Sequence, residues 1–99
     1  MRGIIIMTSI KKLIDTLPAL DGLEYIKGQG YVMTKIKPHA FERDGHLFIS
    51  TEAGDFAADY YGEYRGGYPW INEELEAWAN KAGGYWEWQN PAAIVFITN

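Results

Sequence analysis

The first hydrophobic pattern along the chain is that of a short amphipathic helix. Four apolar residues recur at the i, i+3, i+4 and i+7 spacing that places side chains on one helix face, namely Ile10, Leu13, Ile14 and Leu17. Thr8 or Ser9 can cap the first turn, and Pro18 cannot continue a helix. The pattern therefore predicts a helix within Thr8–Pro18.

Strand-like runs follow, separated by turn signals, and they predict two antiparallel hairpins. The first hairpin joins Leu23–Lys27 to Tyr31–Lys37 through a Gly-Gln-Gly sequence. The second joins His39–Arg43 to His46–Ser50 through an Asp-Gly dipeptide, which is typical of a type I′ turn.

The C-terminal part of the chain predicts one helix and two further strands. Asn72–Ala82 begins with a capping asparagine and two glutamates, carries a lysine near its end and is followed by two glycines. The runs Tyr85–Gln89 and Ala92–Thr98 predict strands on either side of an Asn-Pro break. In the first of them, the alternation places Trp86 and Trp88 on one face, which we expect to pack on the helix.

Together these elements predict an α+β fold in one small domain spanning residues 1–99. We expect an antiparallel sheet of about five strands backed by two or three short helices. Residues 1–6 fit either an N-terminal extension or an edge strand. Residues 52–67 combine helical spacing of aromatic residues with several glycines, so both a helix and a strand or loop remain open there.

Composition excludes several classes of chemistry. The 99 residues include no cysteine, which removes disulfides, thiolate metal sites and cysteine nucleophiles. The longest apolar run, Ile4–Met7, is far shorter than the roughly 20 residues of a membrane span. We therefore expect a cytoplasmic protein with no membrane association, present as a monomer or a homodimer.

Aromatic and acidic residues concentrate in the second half of the chain. Of the 15 aromatic residues, 11 lie in residues 50–99, and the charges there are 8 acidic against 2 basic, or −6. Residues 1–49 carry 7 basic and 5 acidic residues, or +2, so the two parts sum to the net charge of −4. An asymmetry of this kind bears on surfaces and partners rather than on the fold.

The richest segment, Asp59–Trp70, places four tyrosines and a tryptophan among glycines and charged residues. Tyr and Trp give large contact areas at low entropic cost and are enriched at binding hot spots. We expect Tyr61, Tyr64 and Tyr68 to be exposed while nearby aromatic residues fill the core. The candidate partner-binding residues are Asp59, Tyr60, Tyr61, Glu63, Tyr64, Arg65 and Tyr68.

The octapeptide Lys27–Thr34 resembles the RNP1 motif of RRM-type RNA-binding domains. Lysine, the two glycines, Tyr31 and Val32 match that motif, whereas Gln29 and Thr34 stand where the family usually has aromatic residues. The resemblance implies a central strand whose aromatic rings stack on bases. Since the net negative charge opposes the approach of phosphates, direct nucleic-acid binding is not expected.

Residues for catalysis or metal binding form only weak patterns. His39 and His46 flank the Asp-Gly turn and could face each other across the second hairpin, where carboxylates could complete a metal site. Asp55, Asp59 and Glu63 are spaced so that a helix would place them on one face. Neither pattern matches an established motif, so we assign no catalytic residue, no metal ligand and no cofactor.

The combined pattern favours a non-enzymatic interaction protein over an enzyme. An acidic, tyrosine-rich surface can occupy a basic site on a protein partner, including a site that normally binds nucleic acid. Small inhibitors encoded by phages or mobile elements act in this way as a class. The alternative is a small-molecule or carbohydrate-binding domain, with or without hydrolytic activity, which would use the aromatic and carboxylate side chains of Asp59–Trp70.

Overall fold

The computed structural model describes residues 10–52, 56–62 and 69–99. Within these ranges the chain forms eight strands in three antiparallel sheets, together with two helices. In chain order they are α1 (10–16), β1 (Leu20–Ile26), β2 (Gly30–Ile36), β3 (His39–Arg43), β4 (His46–Ser50), β5 (Ala58–Asp59), β6 (Trp70–Ile71), α2 (Glu73–Lys81), β7 (Gly84–Asn90) and β8 (Ala93–Thr98).

This architecture agrees with an α+β fold built on antiparallel sheet, but the expectation of about five strands is wrong. The six longer strands correspond to the predicted runs. β3 and β4 have the predicted bounds, and the ends of the other four differ by at most three residues. The additional strands β5 and β6 contain two residues each, which is too short for an alternating pattern to reveal them. The strands also divide among three sheets instead of forming one.

The largest sheet has the order β3-β4-β8-β7, and α2 packs against β7. Alternation along its strands places one face toward the helices, because successive side chains of a strand point to opposite faces. The five largest completely buried side chains are Leu20, Leu47, Ile49, Leu75 and Ile94. The core therefore lies between this sheet, α1 and α2.

Aromatic rings join α2 to the sheet. The Trp86 indole N–H donates a hydrogen bond of 2.8 Å to the Leu75 carbonyl oxygen, which satisfies its polar atom inside the core. Trp78 stacks on Trp86 with ring centroids 5.5 Å apart, and Phe96 lies 5.0 Å from Trp78 and 5.6 Å from Trp86. The expectation that Trp86 packs on the helix is confirmed.

The helix α2 begins and ends where the sequence indicates. The Asn72 side chain accepts a hydrogen bond of 2.8 Å from the Glu74 backbone N–H, and glutamates occupy the first turn. Lys81 lies in the last turn, and Gly83 follows with φ of 88°. Such a left-handed residue after a helix is favoured by glycine, which has no Cβ.

The first hairpin forms a two-stranded ribbon, β1–β2, which pairs with no other strand of the described residues. Its base is anchored, because Leu20, Gly22 and Pro38 are buried. The outer part of the ribbon is not anchored in this way, since every residue from 23 to 29 is exposed. The ribbon therefore extends from the body of a molecule that measures 52 × 28 × 22 Å.

The ribbon does not have the arrangement that the RNP1 resemblance implies. Lys27, Gly28 and Gln29 form the turn, and only the remainder of the octapeptide lies in β2. The strand that carries Tyr31 belongs to a two-stranded sheet, not to the centre of a larger one. The single strand-pairing partner of β2 among the described residues is β1, so the base-stacking platform of that family is not reproduced.

The second hairpin has the predicted turn but separates the two histidines. Asp44 and Gly45 have φ of 53° and 78°, as a type I′ turn requires. In the strand register, His39 lies opposite Ser50, and His46 lies opposite Arg43. The histidines therefore sit at opposite ends of the hairpin, and the expectation that they could face each other is wrong.

Neither helix among the described residues is long and apolar enough to cross a membrane.

Candidate functional site

The candidate segment is held in place by the short pairing of β5 with β6. Ala58 lies opposite Ile71, and Asp59 lies opposite Trp70. Asn72 extends this attachment, because its backbone N–H donates to the Ala57 carbonyl oxygen at 2.9 Å. Its side-chain amide donates to the Phe56 carbonyl oxygen at 3.0 Å. The segment that leads to the tyrosines is therefore fixed to the start of α2.

Asp59 is buried, with 8% of its surface exposed. One carboxylate oxygen accepts a hydrogen bond of 3.0 Å from the Gly62 backbone N–H. An aspartate that accepts from an N–H a few residues ahead stabilises a turn of the backbone. The described contacts thus give Asp59 a role in shaping the turn at residues 59–62, and its carboxylate offers little surface to a partner.

Tyr60 and Tyr61 form a row of ring contacts that starts at Trp88 of the large sheet, and we call these two residues the aromatic ladder. Tyr60 is half-buried, and its ring makes an edge-on contact with Trp88 at 5.2 Å between centroids. The Tyr61 ring makes a second edge-on contact with Tyr60, also at 5.2 Å. Tyr61 itself is 61% exposed, in agreement with the expectation for this residue. Tyr61 is thus the exposed outer ring, and Tyr60 supports it by packing against Trp88 of β7.

The rest of the candidate site falls outside the described residues. This applies to four of the seven predicted partner-binding positions, Glu63, Tyr64, Arg65 and Tyr68. Asp55 also lies outside the described residues. Of the three carboxylates that a helix would place on one face, Asp55, Asp59 and Glu63, only Asp59 is therefore described. For residues 52–67 the sequence leaves both a helix and a strand or loop open. Within this range, the described residues 56–62 contain the strand β5 and no helix.

Exposed carboxylates lie in the first turn of α2, whose capping residue is hydrogen-bonded to the segment that leads to Tyr61. Glu73, Glu74 and Glu76 occupy the first turn of α2 and are exposed. The carbonyl oxygen of Phe56 accepts a hydrogen bond from Asn72, the capping residue of α2. Tyr61 is five residues beyond Phe56, and five extended residues span at most about 18 Å. A standard interface of about 800 Å² per partner is roughly 30 Å across. Tyr61 and the acidic turn therefore lie within the dimensions of one interface.

Concave sites are found in other places. An apolar cavity of about 420 Å³ lies between α1 and the end of the large sheet and is lined by Ile10, Leu13, Gly45, His46, Leu47, Phe96, Ile97 and Thr98. A second cavity, of about 330 Å³, is lined by Thr16, Trp78, Lys81 and Ala82. Tyr60, Tyr61 and Trp70 line neither cavity. This placement gives no support to a small-molecule site at the aromatic ladder.

A second exposed surface, which is apolar and lies outside the predicted site, is found on the β1–β2 ribbon. Leu23, Tyr25, Tyr31 and Met33 are each more than 60% exposed. The signal was present in the spacing, because these residues stand two apart on each predicted strand and therefore share a face.

Searches with the chain against protein-family models, curated proteins and solved structures find no match.

Proposed function

We propose that this chain is a non-enzymatic interaction domain, which binds a basic surface of a protein partner through Tyr61 and the acidic first turn of α2. The observation that carries the proposal is the exposed Tyr61 ring supported by Tyr60 and Trp88. A supported aromatic ring loses little conformational entropy on binding and can fill a pocket on the partner.

The acidic turn supplies the electrostatic part of the proposal. Carboxylates on a folded scaffold attract a basic surface and increase the rate of association more than the final affinity. Glu73, Glu74 and Glu76 are exposed, and within this turn no basic side chain lies among them. A partner site that normally holds nucleic acid has the matching charge, so inhibition of such a partner is the biological role we propose.

The predicted residues beyond Gly62 belong to the same proposal. Glu63, Tyr64, Arg65 and Tyr68 follow Gly62 in the sequence and are included for their residue types, which are aromatic and charged. Asp59 acts indirectly in this scheme, because its carboxylate binds the Gly62 N–H and so shapes the turn that presents Tyr61.

The test begins with a captured partner and asks which residues hold it. Proteins retained by the immobilised chain are identified by mass spectrometry, and the affinity of the purified partner is then measured for Tyr61→Ala. We expect a loss of about thirtyfold or more, as for a hot-spot residue. Tyr85→Ala is the matched control, because Tyr85 is 46% exposed on β7 and lies outside the proposed surface.

A second variant tests the electrostatic part. Replacing Glu73, Glu74 and Glu76 by lysine should slow association with the same partner, and added salt should reduce the difference from the wild-type rate. If every retained protein binds Tyr61→Ala as tightly as the wild type and associates with the lysine variant as fast as with the wild type, the proposal is wrong.

A further inference from the structure

The ribbon β1–β2 has one face that is apolar and open. Residues directly opposite each other in an antiparallel pair point to the same side, so Leu23 shares a face with Met33, and Tyr25 shares it with Tyr31. Their exposed fractions are 63%, 65%, 63% and 73%. The two tyrosine rings contact each other edge-on, with centroids 5.4 Å apart. We call these four side chains the outer face of the ribbon.

The body of the molecule lies against the opposite face. Leu20 and Gly22 belong to that opposite face and are buried. A Cβ added to Gly22 would lie 2.8 Å from the Cδ1 atom of Ile36 and 3.2 Å from Phe56, which shows how closely the core approaches there. The outer face is therefore accessible along its whole length, down to an exposed ion pair at its base.

The area of the outer face is unusual for a surface that stays in water. Aromatic side chains offer about 150–250 Å² each, so the two tyrosines at about two-thirds exposure present roughly 200–330 Å², to which Leu23 and Met33 add apolar surface. The total is close to the largest patch of a typical monomer, about 300–600 Å². With a polar rim it approaches the roughly 800 Å² per partner of a stable interface.

The charges at the base make this face complementary to itself. Lys35 and Asp21 stand opposite each other in the register and form an ion pair of 2.9 Å. The pair contributes one positive and one negative charge, so the face is neutral overall. A two-fold axis parallel to the strands would place β1 of one copy over β2 of the other, and so Asp21 of each copy over Lys35 of the second copy.

We propose that the outer face is a homodimer interface, in which two copies pack their ribbons face to face about such an axis. The same operation places Leu23 over Met33 and Tyr25 over Tyr31 of the second copy. The result is a small four-stranded sandwich, with sheets about 10 Å apart and apolar side chains between them. A lone two-stranded ribbon is only marginally stable in water, and this packing supplies the second layer that it lacks.

A second copy fits this face better than the partner proposed above. That partner has a basic surface, whereas the outer face is neutral and apolar and offers no excess of carboxylates. The inference does not rest on the proposed function, since none of its residues belongs to the aromatic ladder or to the acidic turn, although the charge of Glu74 in that turn acts on Lys35.

Sedimentation velocity of the full chain tests the proposal. From about 1 μM to about 1 mM, a range that covers weak to moderate dimers, the wild-type sedimentation coefficient should rise from that of a monomer to that of a dimer. Tyr31→Ala should weaken this association about tenfold or more. Tyr85→Ala should leave it unchanged, because Tyr85 is an exposed tyrosine on another sheet.

Two charge variants test the geometry. Asp21→Lys carries two positive charges at the base of the face, and Lys35→Asp carries two negative charges, so each should fail to associate with itself. Mixing the two should restore dimers, and the double variant D21K/K35D should dimerise as the wild type does. Circular dichroism of each dilute variant confirms that the monomer is folded.

Three results would overturn the inference. The first is a wild-type chain that stays monomeric over the whole concentration range. The second is a dimer that Tyr31→Ala does not weaken, because the interface would then lie elsewhere. The third is a mixture of the two charge variants that remains monomeric, which would exclude the proposed axis. Association of the ribbon with a different protein, in the absence of wild-type dimers, falls under the first result.

Discussion

The molecule has two regions in which aromatic rings pack together, and one is buried whereas the other is exposed. Under α2, Trp78 and Phe96 surround Trp86, which is buried and hydrogen-bonded to the helix. On the ribbon, Tyr25 and Tyr31 form an equally close ring pair that remains exposed. The difference lies in the neighbouring elements, because a helix covers the first region and no described element covers the outer face of the second.

The comparison teaches that an aromatic residue does not by itself indicate core or surface. Burial requires a second layer, since one sheet face can exclude water only when another element packs on it. The helix α2 supplies that layer for the large sheet, and its apolar stripe reaches β7 through Leu75 and Ala79. The two-stranded ribbon has a covered face only near its base.

The largest difference between the two regions should appear in Trp86→Ala and Tyr31→Ala. Removing the buried indole leaves a cavity and removes the hydrogen bond to the Leu75 carbonyl oxygen, so we expect a loss of about 3–5 kcal/mol in the free energy of unfolding. Removing the exposed phenol from dilute monomer should change it by no more than about 0.5 kcal/mol. Urea unfolding at low protein concentration measures both. Equal losses would contradict the division into core and surface.

A smaller difference is expected from two glycines that lie close to neighbouring atoms. A Cβ at Gly84 would stand 2.2 Å from the Ile97 carbonyl oxygen and 2.7 Å from the Phe96 ring, so Gly84→Ala must displace backbone. We expect it to cost about 3 kcal/mol. At the ribbon base, Gly22→Ala meets mainly the movable Cδ1 of Ile36, and about 1 kcal/mol is expected. Thermal melting of the two variants gives the order, and the reverse order would contradict it.

The smallest effect concerns the ion pair on the ribbon. The pKa of Lys35 is raised, first by the hydrogen bond that it donates to Asp21 and then by the negative charge of Asp21. Slight desolvation lowers this pKa, and the charge of Glu74 raises it by a smaller amount. A raised lysine pKa stabilises the fold below the ordinary value of about 10.4, and this contribution is lost as the pH rises through the folded-state pKa. The pair should therefore be unaffected by pH throughout the neutral range.

A titration of the lysine side-chain signals by NMR measures this shift. In Asp21→Asn the pKa of Lys35 should move down toward the ordinary value, because the hydrogen bond to Asp21 and the Asp21 charge are its two largest causes of elevation. An unchanged Lys35 midpoint would mean that the ion pair does not persist in solution.

Much of the local structure could be predicted from the sequence, because it depends on residues close together in the chain. The cap at Asn72, the Asp-Gly turn and the alternation of Trp86 with Glu87 are of this kind. The division into three sheets and the pairing of β5 with β6 depend on contacts between distant segments, which no local pattern encodes.

The candidate site shows the same limit. Composition drew attention to the tyrosines after Asp59, and the exposure of Tyr61 agrees with the prediction made for it. Composition could not show that Asp59 is buried and bound to the Gly62 N–H, since burial depends on the pairing with β6. The exposure of the outer face of the ribbon could not be predicted for the related reason that only the folded chain shows which strands remain uncovered.

Asn72 has a consequence for how the molecule opens. Its side chain bonds at once to the Glu74 N–H and the Phe56 carbonyl oxygen, and its backbone holds Ala57. Fraying the first turn of α2 therefore loosens Phe56 and Ala57, the residues before β5, and displacing those two residues weakens the cap of α2. Native-state hydrogen exchange reports such linked segments as one cooperative unit. A ligand that immobilises Tyr61 would accordingly slow exchange in α2, a helix that it need not touch.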